Sequence, residues 1–217
     1  MDRQQRAKEI AGKLLEIGAV HLKPENPFRW TSGLRSPIYC DNRMTMSYPE
    51  VRRLIAKSFA QLIRESFPQA EVVAGTATAG IPHAAWVAEL LDLPMIYIRD
   101  KAKGHGRENQ IEGELRKRQK VVVIEDLIST GGSSIKAAQA VEEAGGEVLG
   151  VAAIFSYQFE KAEKAFSEAG FSVETLSNYS VLLELALGLG TVQEEQMEEL
   201  SQWRVDPEAY TVRWNKE

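Results

Sequence analysis

The sequence predicts an α/β domain with a mostly parallel central sheet flanked by helices, together with a small cap. Three observations predict it. Apolar strands and helical patterns alternate along the middle of the chain, the order that builds a parallel sheet. The run Val121-Val122-Val123-Ile124 is apolar at every position, as a strand must be when both of its faces are covered. Glycine-marked turns follow the strands at Gly75 to Gly80 and at Gly131-Gly132, where such folds bind ligands.

The elements follow in order. Ile10, Leu14 and Ile17 recur at helical spacing, so a first helix is expected from about Arg3 to Ile17, with Gly18 just past its end. A stretch marked by proline and glycine runs from Leu22 to Pro37, and Ile38-Tyr39-Cys40 reads as a short strand. Tyr48 to Phe67 reads as a helix, with Pro49 near its start, where a missing N–H costs little. Strands are expected at Glu71–Ala74, Met95–Ile98, Val121–Ile124, Glu147–Phe155 and Phe171–Leu176. Helices between them pass through Ala84, Val87, Leu90 and Leu91, then about Ser133 to Ala144, then Glu160 to Glu168. The segment from Arg99 to Arg118 is basic, glycine-rich and nearly free of apolar residues, so it reads as a loop. One domain is expected over residues 1–217, its core about 46–177, its cap from about 1–45 and the C-terminal segment. The charge run Glu194 to Glu199 is read as the solvated face of a helix.

Composition narrows the function classes. A net charge of −5 with both signs interspersed argues against general nucleic-acid binding. The single cysteine, Cys40, permits no internal disulfide and fits a reducing compartment. The start of the chain has no apolar signal core, and no apolar run approaches bilayer length. A cytoplasmic protein without membrane or nucleic-acid partners is expected.

The most informative stretch is Val121 to Ser133, in which the apolar strand leads into Glu125-Asp126-Leu127-Ile128-Ser129-Thr130-Gly131-Gly132-Ser133. Two adjacent carboxylates arrive at the sheet edge, followed by hydroxyls and glycines and then by the first turn of a helix. Glycine lets backbone N–H groups close on an anion, and the helix dipole favours negative charge there. One segment thus offers acceptors for sugar hydroxyls beside a cradle for a phosphate. Gly75 and Gly80 have P-loop spacing, but Ile81-Pro82 stands where lysine and a hydroxyl residue are required.

This stretch resembles the phosphoribosyl-pyrophosphate motif of the type I phosphoribosyltransferases. Two further segments resemble the orotate branch of that family, in its bacterial form. One is Arg99-Asp100-Lys101-Ala102-Lys103-Gly104-His105-Gly106 with Ile111-Glu112-Gly113; the other is Phe28-Arg29-Trp30-Thr31-Ser32-Gly33 through Ser36-Pro37-Ile38-Tyr39, with Asp41-Asn42-Arg43 beyond. The resemblance implies a type I phosphoribosyltransferase-like core with an N-terminal hood. It implies transfer of ribose 5-phosphate to orotate, with Mg²⁺ bridging substrate oxygens rather than sitting in an all-protein site. It implies a homodimer whose active sites are shared across the interface. The residues implied to act in catalysis are Lys103, Arg99, His105 and Asp126. Those implied to bind the donor are Arg99, Lys103, His105 and the run Glu125, Asp126, Leu127, Ile128, Ser129, Thr130, Gly131, Gly132 and Ser133. Ser129, Phe28 and Trp30 are implied to meet orotate, though cap packing is an equal alternative for the two aromatics.

This sequence departs from some relatives in ways that concern the base. Thr31 and Ala79 stand where some orotate enzymes carry lysine, and Asp100 where several are basic. No arginine follows Phe155-Ser156-Tyr157 to meet the orotate carboxylate. A purine phosphoribosyltransferase and a regulator that senses the donor while binding nucleic acid are the alternatives.

Overall fold

The computed structural model describes residues 2–100 and 110–215. Helix α1 spans Arg3–Glu16 and is capped by Asp2, whose side chain accepts from the Gln5 N–H. Three short strands, β1 (Val20–Leu22), β2 (Phe28–Arg29) and β3 (Arg35–Ser36), precede β4 (Ile38–Cys40) and a 3₁₀ turn at Asn42–Ser47. The α/β series is α2 (Pro49–Ser66), β5 (Val72–Thr76), α3 (Gly80–Leu91), β6 (Met95–Ile98), β7 (Ile111–Glu112), β8 (Lys120–Ile128), α4 (Gly132–Glu143), β9 (Glu147–Ser156), α5 (Glu160–Ala169) and β10 (Val173–Asn178). Helices α6 (Tyr179–Gly188), α7 (Met197–Val205) and α8 (Pro207–Trp214) follow.

The six-stranded sheet has the order β10-β9-β8-β5-β6-β7, parallel throughout except for the β6–β7 edge pair. Along β8 the side chains alternate between two cores. Val122 and Ile124 join Val87, Phe59 and Leu14 of the α1–α3 side, whereas Val121 and Val123 join Ile135, Val141 and Phe166 of the α4–α5 side. Burial on both faces explains why this strand is apolar at every position. The crossover β5-α3-β6 runs one way along the sheet and β8-α4-β9 the other. Right-handed crossovers in opposite directions put α3 and α4 on opposite faces.

Three differences from the expected elements have physical causes. Strand β8 continues four residues beyond Ile124 because its pairing with β9 persists through Ile128↔Ser156 after its pairing with β5 stops at Gly75↔Ile124. Strand β10 starts at Val173 rather than Phe171 and runs to Asn178, the partner of Ser156. Strands β2, β3 and β7 are two residues each, too short to show a period.

The cap forms from both ends of the chain. β1 pairs antiparallel with β4, and β2 with β3. Helix α8 closes on β3, where Thr211 Oγ1 accepts from the Arg35 N–H at 2.9 Å. Helix α1 contributes Ile10, Ala11 and Leu14 to the core shared with α2 and the sheet, so it supports the core as well as the cap. Trp203 of α7 is fully buried, ringed by Trp30, Tyr157, Phe159 and Tyr179 at centroid distances of 5.1 to 5.8 Å. Its indole N–H donates to the Arg35 carbonyl at 3.2 Å.

Trp203 therefore joins the C-terminal helices to both the hood and the sheet. Trp203→Ala is expected to cost about 3–5 kcal/mol of unfolding free energy, measured by urea denaturation. Trp203→Phe, which removes the N–H donor and part of the buried ring, is expected to cost about 2–3 kcal/mol, less than Trp203→Ala.

Candidate active site

Strands β5 and β8 are neighbours whose chains leave in opposite directions, which makes their carboxyl ends a topological switch point, the usual ligand crevice of such sheets. Glu125 and Asp126 lie on the overhang of β8 beyond β5. The Glu125 side chain is turned inward and only 7% of the residue is exposed. Thr76 Oγ1, at the end of β5, lies 2.8 Å from Glu125 Oε1, and the Asp126 N–H donates to the same oxygen at 3.0 Å. Ser134, in the first turn of α4, donates to Oε2 at 2.9 Å. One carboxyl group thus holds together the end of β5, the end of β8 and the start of α4.

Burial first, and then the neighbouring charge of Asp126, pushes the Glu125 carboxyl up to about 7. Burial also raises Asp126, against the lowering effect of hydrogen bonds from Glu125 and the backbone and of the Arg43 charge. The two carboxyls titrate as a pair, both shifted upward by burial. The Asp126 carbonyl accepts from Asn42 Nδ2 at 2.7 Å, which ties the overhang to the 3₁₀ turn of the cap.

The turn after β8 leads directly into the first turn of α4. Gly131 adopts φ +80°, and a Cβ there would meet the Phe166 ring at 2.8 Å. Both facts require glycine. The first intrahelical bond of α4 runs from the Ile135 N–H to the Gly131 carbonyl. The amides of Gly132, Ser133 and Ser134 therefore precede the helical ladder at its positive end. Gly80 fits against β8 on the other side, where a Cβ would collide with the Ile124 carbonyl and Thr76 Oγ1.

Two cavities flank this turn. The smaller, about 290 Å³, is bounded by Thr76, Ala77, Arg99, Ser133 and Lys136 among others. Arg99 carries a positive charge there and pairs with Glu112 across the β6–β7 edge, Nη1 to Oε1 at 3.2 Å. The larger, about 880 Å³, has Leu127, Ser129 and Thr130 on one side and the aromatics Trp30, Tyr39 and Tyr157 on another. Arg204 and Val205 of α7 also reach it.

The structure thus gathers most of the residues singled out from the sequence. Ser129, Thr130, Leu127 and Trp30 line the large cavity; Arg99 and Ser133 line the small one; Glu125 and Asp126 lie on the overhang of β8. Ile128 is buried in the α4–α5 core and contributes its backbone, its carbonyl accepting from the Tyr157 N–H. Phe28 lies against Tyr39 at 5.6 Å, beneath the Lys23 ammonium, and supports the cavity wall without lining it. Lys103 and His105 fall outside the described residues. Cys40 lines the large cavity, where burial pushes its thiol well above the ordinary value. Sequence reasoning missed Thr76, Ser134, Tyr157 and Arg204. Each is an ordinary residue type whose role depends on what the fold sets beside it.

The Glu125 proton has a consequence for stability. Unfolded glutamates titrate near 4.5, whereas the folded protein holds this proton to about 7. The folded state therefore binds more protons across that window, so stability is greatest below it and falls as pH rises through it. Denaturant titrations between about pH 5 and 8 are expected to show this decline, and Glu125→Gln to flatten it.

Similarity to known proteins agrees with this geometry. A family model described as the phosphoribosyl transferase domain matches residues 45–178. An orotate phosphoribosyltransferase of Listeria innocua is 60% identical over 203 residues, 94% of this chain and 97% of the relative. The crystal structure of an orotate phosphoribosyltransferase from Aeropyrum pernix superposes with a TM-score of 0.74 at 28% identity, covering 85% of this chain and 99% of that one. The structure of a Leishmania donovani UMP synthase gives a TM-score of 0.76 at 29% identity, covering 91% of this chain but 42% of that longer one. A sheet whose switch point carries the acidic pair and the glycine turn, matched along nearly the whole chain, places this protein in the phosphoribosyltransferase family, among its orotate phosphoribosyltransferases.

Proposed function

We propose that the chain transfers ribose 5-phosphate from 5-phosphoribosyl 1-diphosphate to orotate, yielding orotidine 5′-phosphate and diphosphate for pyrimidine biosynthesis. The observation that carries this reading is the placement of one phosphate-cradling turn between a small cavity with cations and a large aromatic one. A sugar phosphate seated at Ser129 to Ser133 has its diphosphate directed toward Arg99 and its anomeric carbon toward the aromatic cavity. A ring nitrogen of orotate forms the bond to that carbon while the bond to diphosphate oxygen breaks, its electron pair leaving with the diphosphate. Positive charge develops on the ribose, so the protein contributes positioning and charge placement rather than a nucleophile.

Asp126, the more accessible of the acidic pair, holds the ribose hydroxyls, and Glu125 beneath it fixes the strand end and the helix start. Ser129 meets the base, and Trp30, with Phe28 behind Tyr39, completes the wall. Arg99, together with Lys103 and His105 from the sequence motif, balances the leaving group.

Mg²⁺ belongs to the proposal as a companion of the donor. Among the described residues no group of three or more His, Cys, Asp or Glu side chains is placed to hold a metal ion. The donors that fit are hard oxygens, those of the diphosphate and the sugar hydroxyls of the substrate, with none directly from protein side chains. When bound, Mg²⁺ supplies neutralising charge to the diphosphate. A homodimer with shared sites and a cytoplasmic location complete the reading. Among the described residues no helix is long and apolar enough to cross a membrane.

The direct test mixes purified protein with orotate, the donor and Mg²⁺, and follows orotate loss against diphosphate release. Equal, magnesium-dependent conversion is expected; conversion of purine bases in its place refutes the orotate assignment. Lys103→Ala is expected to lower turnover by roughly 10²–10³, the scale for losing one preorganised charge donor. Mixing that variant with Asp126→Asn is expected to restore part of the activity through hybrid dimers. No recovery after demonstrated subunit exchange refutes shared sites.

A further inference from the structure

Orotate differs from uracil by one carboxylate, and a desolvated cation placed against that group is a strong way to select it. The large cavity offers Arg29, Lys161, Lys164 and Arg204. The first three are exposed, and Lys164 lies 3.8 Å from the exposed Glu168. Such charges are solvated and screened, so they contribute little discrimination. Arg204 is the one half-buried cation among the described residues of this cavity. It follows Trp203, whose ring is packed among Trp30, Tyr157 and Phe159, so its base is rigid.

Its guanidinium is also braced. Arg204 Nη1 donates to Ser180 Oγ at 2.8 Å, and the Ser180 hydroxyl donates in turn to Gln158 Oε1 at 2.7 Å. The Ser180 N–H donates to the same Gln158 oxygen at 3.0 Å, which fixes the orientation of that amide. Gln158 sits at the end of β9 in the left-handed region, φ +58°, with its own N–H donating to Ser156 Oγ. The relay begins at the position directly after Tyr157, a residue of the cavity wall. It ends with one N–H of the guanidinium used and the planar fork left with further donors.

We propose that Arg204, supplied by the C-terminal helix α7 and positioned through Ser180 by Gln158, is the cation that recognises the carboxylate of the pyrimidine base. The assignment rests on the orotate reading above. A guanidinium suits the task because it presents paired donors to a planar carboxylate, and the low polarity of the aromatic wall strengthens that contact. The exposed cations share the cavity with the carboxylates of Glu160 and Glu208, which offset their charge.

The test compares two products that differ only in the carboxylate. Binding of orotidine 5′-phosphate and of uridine 5′-phosphate is measured by calorimetry on the intact protein, on Arg204→Gln and on Arg204→Lys, with thermal melting as a check of folding. Arg204→Gln is expected to weaken orotidine 5′-phosphate roughly 10- to 100-fold, the scale of one lost charge-assisted contact, and to leave uridine 5′-phosphate within about twofold. Arg204→Lys keeps the charge without the fork, and its preference is expected to fall between the two. An unchanged preference between the products in either variant overturns the assignment, as does equal weakening of both, which signals a structural role. Failure of the unaltered protein to convert orotate would instead refute the underlying function, so the two failures are distinct.

Discussion

The divergence of the chain at β5 and β8 is the constraint on which the site depends. Adjacent parallel strands whose crossovers run in opposite directions along the sheet place their helices on opposite faces. No helix then covers the gap at their carboxyl ends. Strand β8 exploits that gap by continuing to Ile128 beside β9 alone. The overhang presents Glu125 and Asp126 where β5 no longer blocks them, and it delivers the turn at Ser129 to Gly131 directly onto the start of α4. Shortening β8 to the length of β5 would remove the acidic pair from the crevice and misplace the amides of α4 together.

Within that gap the buried Glu125 carboxyl is costly when charged, and burial pushes its titration up to about 7. Its three hydrogen-bond partners come from β5, from the adjacent backbone and from α4. A carboxyl can satisfy three donors arriving from different directions; an apolar residue of equal size would leave Thr76, Ser134 and an amide to find other partners. Asp126, beside it, is the more accessible of the two. One buried group thereby fixes the geometry of the crevice.

How much of this was legible in the sequence follows from the range of the interactions involved. The central sheet was legible because Val121 to Ile124 and the alternating helices carry their periodicity locally. The glycine turn after β8 was legible because its glycines and hydroxyls are contiguous. The cap was legible only as a region, since β2 and β3 are too short for a pattern and are held by contacts such as Arg35 with Thr211, 176 positions apart. Thr76 and Ser134 gave no signal, because their part in the site exists only once β5 and α4 stand on either side of Glu125. Phe28 and Trp30 looked alike in sequence. The fold separates them, setting Trp30 on the cavity and Phe28 behind Tyr39.

The C-terminal helices illustrate how two requirements can be met by neighbouring residues. Successive residues on an α-helix point about 100° apart, so α7 directs Trp203 into the aromatic core while Arg204 reaches the cavity. Burial of the indole anchors the helix against movement, which reduces the conformational freedom that a long cationic side chain would otherwise lose on meeting an anion. The bond from Arg204 to Ser180 removes more of that freedom before any ligand arrives. Gln158 extends the brace to the end of β9, the strand that also supports the overhang of β8. The large cavity and the turn at Ser129 to Gly131 are therefore both tied to the same strand. A shift of β9 would disturb both at once, so their spacing is set by the sheet rather than by the loops around them.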